Sequence, residues 1–276
     1  MSQATCPSCP VPKASHDRHV PKASFLLALL IACAPPPAEP PSSPPPLPAA
    51  PPAPPAPAPA ALPPDPAAAP APPAIPPLAI VERPITYDDN RREKTITYRQ
   101  RHQDPAASDI FIDPKIIVLH HTGGGDLGGT WRYFDRPAVE RGRKIIARAG
   151  DLNVSAHFLV DRDGTIVRLM PETWMARHVV GLNHLAIGVE NVGDLERFPL
   201  TPAQRAANVA LVRHLVARFP GITHLIGHHE YLAFEGHPYF REREPDYRTR
   251  KGDPGPAFMR EVRAELPDLG LAGPPP

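Results

Sequence analysis

Apolar positions beyond residue 83 gather into short β-type runs around one strongly helical repeat. Ile116–Leu119 is an unbroken β-branched and apolar run, which predicts a buried strand. Val154–Val160 and Thr165–Leu169 flank Asp161-Arg162-Asp163-Gly164, and the Asp-Gly turn predicts a hairpin. Ala186–Val192 and Ile222–Ile226 are further strand candidates. Thr201-Pro202-Ala203-Gln204 reads as a helix start, with Thr as N-cap, Pro in the first turn and Gln as capping-box partner. That helix is expected to bury Val209, Val212, Leu215, Val216 and Phe219 and to stop before Pro220-Gly221. Phe258, Val262 and Leu266 mark a C-terminal amphipathic helix, and another helix is expected between Trp131 and Ala149. Strands and helices interleaved with a hairpin predict an α/β domain, a central mixed β-sheet flanked by helices.

Composition divides the chain. Of its 43 prolines, 23 fall in residues 35–77, mostly interleaved with alanine. Such a stretch buries too little apolar surface to offset the entropy of ordering and reads as a polyproline II-like spacer. Before it, Phe25–Cys33 is a short apolar run preceded by Lys13, Arg18 and Lys22, the layout of a secretory signal. Its ending, Leu-Ile-Ala-Cys, resembles the lipobox of bacterial lipoproteins, which implies lipidation of Cys33 and loss of residues 1–32. Residues 1–32 are therefore expected as a lipoprotein signal peptide, 33–80 as a linker, and 81–276 as the single folded domain. The expected location is the periplasm, anchored by lipid to the outer membrane, because Ala34 is not an aspartate retention signal.

The part beyond residue 80 has 27 basic and 26 acidic residues. Near-neutral charge without basic clusters gives no footprint for nucleic acid. No apolar run after residue 33 approaches the roughly 20 residues of a membrane-spanning helix. All three cysteines lie at or before residue 33, so the domain has neither disulfide nor thiolate ligand, and the single CPSC pair at Cys6 and Cys9 cannot complete a tetrahedral site.

Three short stretches carry the chemistry. IIVLHHT presents His120 and His121 at the end of a strand, GHHEY presents His228 and His229 after another, and RKGDPG presents Asp253 with Lys251 two residues before it. Two imidazoles and a carboxylate form the ligand set of a catalytic zinc site that leaves one position open, and a lysine beside it suits oxyanion stabilisation. Side chains alternate across a strand, so one histidine of each pair points toward a ligand position. His120 is favoured because it continues the strand, while His121 and Thr122 begin the glycine loop; the same choice arises for His228 against His229. Gly123-Gly124-Gly125-Asp126-Leu127-Gly128 satisfies G-x-G-x-x-G, but a dinucleotide fold needs a helix at once and an acidic residue ending the next strand about 20 residues on. The next clear strand starts near Val154, so the glycines are read as leaving the metal site open to a bulky substrate.

In order, IIVLHHT, SAHFLVDRDGTIVRLMPE, LNHLAIGVENVGD, LTPAQRAAN, THLIGHHEY and KGDPGPAF resemble the zinc-dependent N-acetylmuramoyl-L-alanine amidases, the family related to peptidoglycan recognition proteins and phage lysozyme-type amidases. The likeness runs from about Pro114 to Leu266, with Asp where recognition proteins carry cysteine, as in the bacterial recycling and outer-membrane amidases. It implies zinc held by His120, His228 and Asp253 at the strand ends, Glu190 as general base, and Lys251 assisting at the transition state. It implies substrate contacts from Arg177, His178 and Asn183, with peptidoglycan or muropeptides as substrate and a monomeric enzyme. Ala156 stands where the phage enzymes carry a catalytic tyrosine, and Arg177-His178 replaces a Trp-His pair. Tyr231–Arg250 is longer than in compact members and reads either as a substrate wall or as a structural insertion. A non-catalytic muropeptide-binding module would keep the fold but lose a ligand, and here all three positions are filled.

Overall fold

The computed structural model describes residues 78–276. The expected leader, Cys33 and the Pro/Ala tract up to residue 77 lie outside the described residues. The strands are β1 (Ile80–Glu82), β2 (Ile116–His121), β3 (Phe158–Val160), β4 (Ile166–Arg168), β5 (Ala186–Asn191) and β6 (His224–Gly227). The helices are α1 (Asp89–His102), α2 (Leu127–Asp135), α3 (Lys144–Arg148), α4 (Pro202–Arg218) and α5 (Pro256–Ala264). One six-stranded sheet has the order β1-β4-β3-β5-β2-β6. The β3–β4 hairpin is antiparallel and the other pairs are parallel, so the sheet is mixed, as the pattern predicts. β1 begins one residue ahead of the expected boundary and pairs with β4.

β2 shows how alternation builds two cores. Ile116 and Val118 face one side with Ala186, Ile226, Tyr231 and Phe234. Ile117 and Leu119 face the other with Ile187, Leu211, Leu215 and Met259. Helices α4 and α5 cover this second side, while Tyr98 of α1 and Tyr247 of the long insertion help close the first. Each fully buried aliphatic side chain contributes roughly 1.5–3 kcal/mol.

The structure departs from the apolar pattern where polar groups are buried. On α4 the Thr201–Gln204 capping box forms, but the buried face is Gln204, Asn208, Leu211, Val212 and Leu215. Val209, Val216 and Phe219 are only partly buried. Gln204 faces inward because its Nε2 donates to the carbonyls of Val160 and Val192 beside the ends of β3 and β5. Helix α1 has no apolar stripe; its buried positions are Arg91, Thr95, Tyr98 and His102. Arg91 Nη2 donates to the carbonyls of Phe134, Asp135 and Arg136, the unpaired C-terminal end of α2. The helix expected between Trp131 and Ala149 is two short ones, with Pro137 and Gly142 in the break. A helix does open inside the glycine run, N-capped by Asp126. The next strand starts only at Phe158, so the dinucleotide signature stays incomplete.

Candidate functional site

Parallel strands β2, β5 and β6 end on one side of the molecule, and the candidate site lies there. Open sheets of this kind leave a crevice beyond the carboxyl ends of their strands. His120 shares the face of Ile116 and Val118, and Glu190 is its register partner on β5. His121 turns the other way, and its Nδ1 accepts from the Gly123 amide. His228 follows β6 directly as a 3₁₀ turn begins. His229 instead fixes the Asp253 backbone: its Nδ1 donates to the Asp253 carbonyl, which also accepts the His229 amide.

His120 Nδ1 lies 2.9 Å from His228 Nδ1. Asp253 Oδ2 lies 3.0 Å from His228 Nδ1 and 3.3 Å from His120 Nδ1. Tetrahedral ligand atoms at about 2.0–2.2 Å from a zinc ion stand about 3.3 Å apart, so this triangle fits the ion. His120, His228 and Asp253 form the metal-capable cluster found among the described residues. Burial works to raise the Asp253 carboxyl, but its close neighbours His120 and His228 outweigh it and hold it well below the usual carboxylate range. Burial, helped by His120, lowers His228 to about 3, so the ring stays neutral and free to ligate.

Glu190 is half-buried beside this triangle, and its solvent-shielded Oε2 has no hydrogen-bond partner. Burial pushes its carboxyl up to about 7; His120 and Lys251 oppose the rise and Asp253 adds to it. A carboxyl that titrates near neutrality and keeps an uncommitted oxygen is equipped to take and return a proton. Burial lowers Lys251, with the nearby Arg143 acting in the same direction and Asp253 against it. His120, Glu190, His228, Lys251 and Asp253 all line one cavity of about 570 Å³, which the glycine loop borders through Gly123 and Gly125. Arg143 also lines it; its Nη1 donates to the Tyr133 hydroxyl, and no carboxylate pairs with it among the described residues.

The three residues expected to contact substrate reach the same cavity, but their polar atoms are largely committed to the fold. Arg177 is 2% exposed. Its Nη atoms donate to the carbonyls of Gly150, Leu152 and Ile146 and to the Tyr247 hydroxyl. Asn183 Oδ1 accepts the amides of His178 and Val179, and Asn183 Nδ2 donates to the Tyr98 hydroxyl. His178 has both ring nitrogens engaged, one with His120 and one with the Ala186 carbonyl. Sequence reasoning did not find Arg143, which sits in a polar stretch without a motif. The insertion is both wall and structure. Tyr247 and Thr249 line the cavity, while Glu242 pairs with His102 of α1 at 2.8 Å and Tyr231 exchanges hydrogen bonds with the Thr249 backbone. Ala156 is fully buried.

Fold and site together define an α/β domain with a metal-capable His-His-Asp cluster and an uncommitted carboxylate at the ends of parallel strands. The family described as N-acetylmuramoyl-L-alanine amidase matches residues 111–256. The chain is 31% identical over 157 residues to the 1,6-anhydro-N-acetylmuramyl-L-alanine amidase AmpD of Salmonella typhimurium, covering 52% of this chain and 76% of that protein. It is 37% identical over 86 residues to the endolysin of Escherichia phage T7, covering 29% of this chain and 56% of that protein. Among solved structures, the N-acetylmuramoyl-L-alanine amidase LysC from Clostridium intestinale aligns with a TM-score of 0.44 at 24% identity, over 69% of this chain and 98% of that one. The chain belongs to the N-acetylmuramoyl-L-alanine amidase family.

Proposed function

We propose that this enzyme uses zinc to hydrolyse the amide joining the lactyl group of N-acetylmuramic acid to L-alanine, in peptidoglycan or in fragments released from it. The observation that carries this reading is the convergence of His120 Nδ1, His228 Nδ1 and Asp253 Oδ2 beside the unpartnered Glu190 Oε2. His120, His228 and Asp253 would hold the zinc, which would supply Lewis acidity for the amide carbonyl and for water. Glu190 Oε2 takes the proton of the attacking water and returns it to the departing alanine nitrogen. The Lys251 ammonium offsets the negative charge on the carbonyl oxygen as the tetrahedral centre forms. Arg143, a cation without a carboxylate partner, suits a carboxylate of the stem peptide. Gly123 and Gly125 line the cavity without side chains, which suits a bulky substrate carrying both sugar and peptide.

Lipidation of Cys33 and a Pro/Ala tether complete the reading. If residues 35–77 run as polyproline II at about 3.1 Å per residue, the tether reaches roughly 130 Å. That length lets a membrane-held domain sample the cell wall. A lipidated cysteine bearing more than one acyl chain makes such anchoring durable.

The activity is tested by incubating the protein with intact sacculi, with and without a chelator, and identifying new amine ends by mass spectrometry. Chelator-sensitive release of peptides starting with free L-alanine is expected; cleavage at any other bond refutes the assignment. Cys33→Ser should move the protein from the membrane to the soluble fraction, and an unchanged distribution defeats the anchor.

A further inference from the structure

We infer that His178 is a positioning residue of the metal centre, fixing His120 in the tautomer whose Nδ1 lone pair faces His228 and Asp253. The inference rests on the zinc reading above and adds a second ring to it. The chain of contacts starts from a main-chain carbonyl. Ala186 O lies 3.1 Å from His178 Nε2 and can only accept, so that nitrogen carries the proton. The neutral ring then has its one lone pair on Nδ1, 3.0 Å from His120 Nε2. His120 Nε2 must therefore donate, which leaves the lone pair of His120 on Nδ1. That atom is the one lying 2.9 Å from His228 Nδ1 and 3.3 Å from Asp253 Oδ2. A carbonyl on β5 thus sets the protonation of a ligand atom two rings away.

The surroundings are built for this chain of contacts. Gly188 lies between Ala186 and Glu190 on β5, and a Cβ there would fall 2.8 Å from His178 Cγ and Nδ1. Glycine is what lets the ring lie against the strand. Behind it His157 stands edge-on at 5.9 Å between ring centroids. The nitrogens of His157 are taken by the Gly188 amide and the Trp174 carbonyl, so it does not compete for His178. Asn183 fixes the backbone by accepting the amides of His178 and Val179. Metal-bound histidines generally donate their second ring N–H to an acceptor that orients them, and loss of that acceptor typically weakens metal binding by about 10–100-fold. Here the acceptor is another imidazole.

The test measures zinc affinity of the full chain by competition with a chromophoric chelator, and the visible spectrum of the Co²⁺-loaded protein. His178→Leu removes the acceptor, whereas His178→Asn offers an amide oxygen near the position of Nδ1. The Leu variant should bind zinc about 10–100-fold more weakly and show an altered Co²⁺ spectrum, and the Asn variant should recover most of both. A role confined to packing would lower thermal stability in both variants and leave the Co²⁺ spectrum unchanged, which overturns the inference. Should the Leu variant not fold, ¹⁵N-histidine NMR of the metal-free wild type decides: protonated Nε2 on both His120 and His178 supports the relay, and a protonated Nδ1 on either overturns it. A wild type that takes up neither zinc nor Co²⁺ removes the metal reading and this inference with it. Wild-type binding matched by the Leu variant removes the inference alone.

Discussion

Glu190→Gln separates what the site does chemically from what it costs the fold. Glutamine keeps the size of the side chain and its place across from His120 but cannot take up a proton. Loss of a general base typically lowers turnover by about 10²–10⁴-fold. Zinc content should stay at the wild-type level, because Glu190 is not among the three converging ligand groups. Stability should move the opposite way. Burial raises the carboxyl from 4.5 to about 7, so the folded state holds the proton more tightly than the unfolded chain does. The stabilisation from that proton is complete below 4.5 and is lost as pH rises through about 7. At about 1.36 kcal/mol per pKa unit the full shift is worth about 3 kcal/mol. The half-buried position beside an open cavity screens part of this, leaving about 1–3 kcal/mol. Glutamine carries no charge to bury. Metal-free Glu190→Gln should therefore be more stable than metal-free wild type by about that amount at pH 8, and gain little at pH 4.5. Urea unfolding of both proteins at the two pH values measures the difference. A stability difference that does not change with pH refutes the burial argument, and wild-type turnover with zinc retained refutes the role as base.

Asp253→Ala or His228→Ala should abolish both zinc content, read by elemental analysis, and hydrolysis, since two ligands do not make a stable site; full occupancy in either variant removes that residue from the ligand set. Lys251→Ala should keep zinc and lower turnover by about 10²–10³-fold, the usual scale for losing one oxyanion-stabilising group; an unchanged kcat would place Lys251 outside the chemistry. Burial lowers His157 from 6.5 to about 4, so the stability of its neutral ring is present above 6.5 and lost as pH falls through about 4. The shift is worth roughly 3 kcal/mol, and His157→Gln should flatten the decline in unfolding free energy between those pH values; an identical slope in the variant contradicts it.

The clustering of His120, His228 and Asp253 is more legible in the sequence than the helices around it, for a physical reason. His120 ends a run of apolar residues whose alternation also decides between it and His121, because Ile116, Val118 and His120 share one face. His228 and Asp253 sit beside glycines and a proline that mark chain turns, and such punctuation is readable in one dimension. Helix α1 was not legible, because the stripe it buries is Arg91, Thr95, Tyr98 and His102, and periodicity methods look for apolar side chains. The face of α4 escapes the apolar pattern for the same reason at Gln204 and Asn208. His178 could be flagged by its motif, but the partners of its two nitrogens exist only once β2 and β5 lie side by side.

The residues that escape periodicity are also those that hold the site in place. Asn208 on α4 donates to Asn191 Oδ1, and Asn191 donates in turn to the His120 carbonyl, which ties a helix on the far side of the sheet to the candidate site. Arg177 fastens the Ile146 carbonyl to the Tyr247 hydroxyl, joining two walls of the cavity through one guanidinium. His229 fixes the Asp253 backbone rather than ligating. An apolar core could supply the stability of these regions, but it has no direction. Placing three ligand atoms within 3.3 Å of one another needs directional contacts, and each of them requires a buried polar group with a satisfied partner. Burial of Arg177, Asn183, Asn191 and Asn208 close to the candidate site follows from that requirement. It also explains why the expected substrate contacts at Arg177 and Asn183 are spent on the protein itself, while Arg143, outside every motif, keeps its charge facing the cavity.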